Sequence, residues 1–193
     1  MRTRESKKHK RKQLFMTLFI VLIMTSSVIG YMFGRDTTTS TKYNDHKFKS
    51  TNNRWITKVN NKELLFHYFP DQVDNLNMSE DIITILKNSA QIDLTSDLED
   101  PFKQDIALAE FDFLNNLKHN KQFIRVGFTT DNEYNLSIIT CETATSTVPV
   151  IYLKKANQTK VYQEENCIII ESRIEQDIIA IKDRIIYGIL SII

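Results

Sequence analysis

Hydrophobic and polar positions divide the chain into zones. Residues 14–33, LFMTLFIVLIMTSSVIGYMF, carry no charged side chain over twenty positions. As a helix at ~1.5 Å per residue they reach roughly 30 Å, the thickness of a bilayer's hydrocarbon core. The pattern predicts a transmembrane helix over 14–34. Residues 35–53 are rich in Thr, Ser, Asn and Lys and show no apolar period. They read as a flexible linker whose ends lie roughly 25 Å apart, from ~5–6 Å × √n. From residue 54 strand and helix periods return. Residues 54–193 read as one soluble α+β domain, a mixed or antiparallel sheet of about six to eight strands with two main helices packed on it.

Within that domain, RWITKV and KELLFHYF are joined by Asn60-Asn61, a pair that tolerates the positive φ of a tight hairpin turn. Trp55, Thr57 and Val59 would line one face of the first strand, and Leu64, Phe66 and Tyr68 a face of the second. Ser79 followed by Glu80 and Asp81 reads as a helix N-cap with acids in the first turn. A strand is expected over 90–95. Asp100-Pro101 then opens a helix over 101–118, where Phe102, Ile106, Ala109, Phe113 and Leu117 recur at helical spacing. Strands are expected over 122–128, 136–141, 149–155, 159–163 and 166–172, with residues 155–160 turning a hairpin between the third and fourth of these. A right-handed crossover is expected to join the 90–95 and 122–128 strands through the long helix. Residues 175–193 read as a helix with one stripe of Ile178, Ile181 and Ile185 and a second of Ile179, Ile186 and Leu190. Its apolar end, residues 185–193, is too short to span a bilayer, and the helix is expected to lie buried against the sheet. A self-interface or membrane contact is the alternative.

Charge gives the apolar stretch a direction. Residues 1–13 hold seven bases and one acid, a balance of +6, and the whole chain totals +1, so the remainder carries −5. Under the positive-inside rule this keeps the basic stub of 1–13 in the cytoplasm and sends the C-terminal domain outside. An acidic domain behind a basic tail argues against a nucleic-acid partner. A cleaved secretory signal is the rival reading. Its apolar core usually spans about 7–15 residues, however, and Val28-Ile29-Gly30 lacks A-x-A character. Ser26, Gly30 and Gly34 form a ladder of small residues on one helix face, where two copies of the helix could approach closely and form a homodimer.

Candidate chemistry is sparse. Asp93, Asp97, Glu99 and Asp100 invite a Mg²⁺ or Ca²⁺ hypothesis. Their spacing matches no EF-hand loop, and capping plus a solvated acidic turn explains them more simply. No metal and no cofactor is therefore assigned. His46 reads as solvated, His67 as structural, and His119 as a helix C-terminal donor. Cys141 and Cys167 are the only cysteines. On the outside they are candidates for a disulfide closing a loop of 26 residues, with two reduced buried thiols as the alternative. Asn77, Asn135 and Asn157 begin N-x-[ST] triplets, and Asn157 is the best glycosylation acceptor of the three.

The stub, the single anchor, and the runs IALAEFDFLNNL, ITCETATSTVPVIYL, NCIII and IKDRIIYGIL resemble small membrane-anchored archaeal proteins that have no assigned activity. The resemblance implies the domain boundary and paired use of Cys141 and Cys167, and it implies no functional residues. Two functions are then weighed. The first is an anchored binding or structural module for a partner protein, a surface polymer or a copy of itself. The second is a tethered hydrolase using the Asp93–Asp100 carboxylates with His67 or His119.

Overall fold

The computed structural model describes residues 3–33, 39–118 and 120–193. The chain divides into two units, residues 1–38 and 39–193, and each is described by itself. The first is helix α1 (Thr3–Phe33). Its window Lys12–Ile29 has a mean hydropathy of 1.8 and is long and apolar enough to cross a membrane. Within it the hydroxyls of Thr17, Thr25 and Ser26 donate to carbonyls of their own helix at 2.9–3.1 Å, which is how polar groups are satisfied in an apolar helix. Of the small-residue ladder, Gly34 lies outside the described residues.

The second unit begins earlier than the sequence pattern suggests. Strands β1 (Ser40–Tyr43), β2 (His46–Thr51), β3 (Arg54–Val59) and β4 (Lys62–Phe66) form a four-stranded antiparallel meander in chain order. The expected linker over 35–53 is therefore corrected, because residues 40–51 are two strands of a sheet. Three two-residue turns recur every eight residues: Asn44-Asp45, Asn52-Asn53 and Asn60-Asn61. Asn44, Asn52, Asn53, Asn60 and Asn61 all hold φ between 48° and 64°, the left-handed region that asparagine tolerates and primed turns require. The register opposes Phe48 to Thr57, Thr57 to Leu64 and Trp55 to Phe66. The two sets of residues assigned to separate strand faces thus share one face of the sheet. Phe48, Thr57, Leu64 and Phe66 are buried there.

After a short helix α2 (Pro70–Val73), helix α3 (Glu80–Asn88) begins at Ser79, whose hydroxyl accepts from the Asp81 N–H as expected. A second sheet follows: β5 (Gln91–Ser96), β6 (Phe123–Phe128), β7 (Ser137–Ile138), β8 (Val150–Lys155), β9 (Lys160–Glu164) and β10 (Cys167–Ser172), in the order β7-β6-β5-β8-β10-β9. All pairs are parallel except β9–β10. Helix α4 (Lys103–Leu117) links the adjacent parallel strands β5 and β6, and helix α5 (Glu175–Ile189) follows β10.

Four local expectations need correction. The strands form two sheets rather than one. The hairpin is β9–β10, turned at Glu165-Asn166, and β10 lies between β8 and β9. The 136–141 strand shrinks to β7 and gives way to a 3₁₀ turn, Cys141–Thr143. Helix α4 starts at Lys103, because Asp100 and Pro101 are spent on a preceding turn in which the Asp100 side chain accepts the Phe102 N–H at 2.7 Å.

One core joins the inner face of the meander to the helices and to one face of the second sheet. It contains Phe48, Phe66, Ile92, Leu94, Phe113, Ile151, Ile168, Ile185 and Tyr187. Helix α5 is central to it. Ile178, Ile181, Ile185 and Ile186 are at most 2% exposed, each contributing roughly 1.5–3 kcal/mol by burial. Neighbouring residues on β8 and β10 alternate, so Val150, Cys167 and Ile169 face the other way and form a smaller cluster with Ile139.

Candidate functional site

Four places gather chemistry-bearing side chains. The first is the end of the second sheet where strand order reverses. The connection from β5 leads to β6 on one side while β8 lies on the other, the kind of switch point where α/β sheets often bind ligands. Of the carboxylates singled out in the sequence, Asp97, Glu99 and Asp100 follow the end of β5 here while Asp93 lies within the strand, opposite the start of β8, and all sit apart and already engaged. Asp93 pairs with Arg125 and Gln91. Asp97 accepts from the hydroxyls of Thr129 and Tyr152. Asp100 accepts from the Lys155 N–H at 2.9 Å as well as from Phe102. Glu99 is exposed beside Lys103. Burial and the hydrogen bond to Asp97 push the Tyr152 phenol up. Among the described residues no group of three His, Cys, Asp or Glu side chains is arranged to hold a metal ion. Beneath this edge Glu110 of α4 is buried, its single hydrogen-bond partner among the described residues being the Ser96 hydroxyl at 3.3 Å, and desolvation raises its carboxyl to about 7.

The second place is a strap. Residues 139–149 cross the face of the second sheet that carries Val150 and Cys167, and Cys141 is bridged to Cys167. The Thr95 hydroxyl donates to the Ile139 carbonyl at 2.7 Å. Gly127 lets β7 and the start of the strap approach, because a Cβ there would lie 2.2 Å from the Ser137 carbonyl oxygen and 2.8 Å from the Ile139 side chain. Asn135 precedes the strap, exposed and with φ 54°. Asn157 is exposed in the β8–β9 connection, and Asn77 is exposed ahead of α3.

The third is a buried charge cluster. Lys182 Nζ lies 2.7 Å from Asp112 Oδ2 and 2.5 Å from Asp183 Oδ1, and Lys182 and Asp183 are wholly buried. Asp183 Oδ2 also accepts the N–H groups of His67 and Tyr68 at 2.9 and 2.8 Å, tying the end of β4 to α5. Burial raises the Asp183 carboxyl, and Lys182 opposes the shift. Burial, then the Lys182 charge, lowers the His67 imidazole. His67 Nδ1 stands 3.4 Å from Asp112 Oδ2 without making a hydrogen bond. His67 therefore meets Asp112, and among the described residues its hydrogen bond and close polar contact go to Asp183 and Asp112 rather than to the Asp93–Asp100 turn. His119 lies outside the described residues. Asn116 completes the junction, its amide exchanging two hydrogen bonds with Leu65 on the free edge of β4. The Lys182-Asp183 pair escaped the sequence reading, although a signal was present. Position 182 falls between Ile178 and Ile185 on the apolar stripe, and 183 between Ile179 and Ile186, where charges are buried only with partners.

The fourth is the outer face of the meander. Lys42 opposes Lys47, and Lys49, Ile56, Lys58 and Glu63 continue the same face. The four lysines are exposed, and Glu63 among them pairs with Lys58 at 3.3 Å. Lys47, Lys49 and Lys58 line a groove of about 440 Å³ with Ile56 and with two acids, Asp45 and Glu63.

Comparison with protein-family models, curated proteins and solved structures yields no match.

Proposed function

We propose that the chain is a single-pass membrane protein held by residues 14–34, with its N-terminus in the cytoplasm, and that its C-terminal unit is an extracytoplasmic binding module for an anionic component of the envelope. The observation that carries the reading is the segregation of charge. The chain beyond the apolar stretch totals −5, yet the outer meander face carries Lys42, Lys47, Lys49 and Lys58, and the last three line an open groove together with Asp45 and Glu63. A surface with an excess of one sign raises the local concentration of oppositely charged polymer and speeds its encounter. The disulfide supports the outside placement, since such bonds persist in oxidising compartments. The basic stub supports the orientation. Pairing of two chains through Ser26, Gly30 and Gly34, and glycan attachment at Asn157, belong to the same reading.

A tethered hydrolase has less support. The turn carboxylates are each spoken for by a neighbour, and His67 sits against Asp112 instead. The test of the binding reading uses full-length protein in neutral-lipid nanodiscs, with polyphosphate as the anionic probe. Binding is expected to weaken steeply with salt and to fall at least tenfold in a K47E/K49E variant with unchanged melting. Equal binding by the two proteins removes the proposal.

A further inference from the structure

We propose that Lys182 and Asp112 condense into an amide, an intramolecular cross-link that joins α5 to α4 covalently. The reactants are in place: the Lys182 amine nitrogen is 2.7 Å from an Asp112 carboxyl oxygen, the two residues are 70 apart in the chain, and Lys182 has no exposed surface. In water this reaction is slow, because an ammonium has no free lone pair and a carboxylate resists attack. Burial of the site works against both obstacles. One cation and two carboxylates fully ionised would leave a net negative charge in the core, and a low-dielectric interior disfavours that state against one with fewer charges. The His67 imidazole borders the same carboxyl: its Nδ1 is buried, has no hydrogen-bond partner among the described residues, and stands 3.4 Å from Asp112 Oδ2. Burial acts on Asp183 in the same direction, raising its carboxyl.

The balance is simple. A proton passes from Lys182 Nζ to the Asp112 carboxylate, leaving an amine and a carboxylic acid. The nitrogen lone pair attacks Asp112 Cγ. Asp183 Oδ1, 2.5 Å from Nζ, takes the second amine proton and returns it to the departing hydroxyl. The new bond is Nζ–Cγ, the Cγ–OH bond breaks, and one water leaves. Asp183 is held for this task by the two backbone N–H groups of His67 and Tyr68, which fix one of its oxygens while the other faces the amine. Nothing is oxidised or reduced, so no co-reactant is needed.

The test is intact mass of the full chain, extracted from membranes, denatured and reduced. The expected mass is short by one water, and digestion yields the Asp112 and Lys182 peptides as a single branched species. Lys182→Arg restores the full mass. Asp112→Asn still cross-links, now losing ammonia instead of water. Full mass in the unaltered protein overturns the inference whether or not any variant folds. A missing water with the two peptides separate, or with Lys182 joined to Asp183, overturns it as well.

Discussion

The β1–β4 meander and the β5–β10 sheet are held in different ways. In the meander every neighbour in space is the neighbour in the chain, and each turn is written by asparagines at positive φ. One face is buried and the other is left wet and basic. In the second sheet the parallel pairs need crossovers, β8 and β10 are separated in the chain by β9, and helices cover one face while the strap covers part of the other. The difference separates roles. A locally encoded sheet with a free face can change its outer side chains without disturbing the core, so it is the natural place for a binding surface. A sheet assembled from distant segments keeps its polar groups only where partners meet them. That is where Asp183, Glu110 and the disulfide sit.

The sharpest break falls where the two regions meet. Asp183→Ala leaves Lys182 beside one partner and orphans two backbone N–H groups. It should cost about 3–5 kcal/mol and unfold meander and α/β half together in chemical denaturation. Next comes Glu110, whose carboxyl is raised in the folded state to about 7 from an ordinary 4.5. The folded state binds the extra proton, so the contribution of Glu110 to stability is fully present below pH 4.5 and is lost as pH rises from there through 7, by roughly 3 kcal/mol. Glu110→Gln should flatten that stretch of the stability–pH curve, and a curve that keeps its slope would place the titrating group elsewhere. Replacing Cys141 and Cys167 together by Ala should cost about 2–4 kcal/mol. It should also speed hydrogen exchange in the strap and at β7 while leaving the meander protected. Asn60→Val forces a β-branched residue into the left-handed region and should cost about 1–2 kcal/mol, with the loss confined to the β3–β4 hairpin. Smallest is Lys47→Glu with Lys49→Glu, where stability should shift within about 0.5 kcal/mol while polyanion binding is lost.

How much of this was legible depends on how far apart the deciding residues lie. The β3–β4 hairpin, the Ser79 cap, the parallel β5–α4–β6 unit and the burial of α5 all follow from signals within a few residues: turn pairs, caps and apolar stripes. The β1–β2 strands did not follow, because HKFKST carries one apolar residue among polar ones. Phe48 reads as linker until Phe69 and Tyr187 supply rings 5.3 and 6.1 Å away. The eight-residue recurrence of asparagine turns was the signal that would have found them.

The candidate site divides the same way. The chain by itself determined an apolar helix of membrane length, a basic stub before it, and two cysteines that had only each other to pair with. Helix length and charge asymmetry are properties of contiguous residues, so no tertiary information is needed. Only the tertiary structure decided that the Asp93–Asp100 carboxylates are dispersed onto separate partners, that four lysines share one wet face, and that Lys182 meets Asp112 across 70 residues of chain. Whether a polar side chain is solvated, paired or reactive depends on which distant element covers it. Packing sets that covering, and local periodicity carries no record of it.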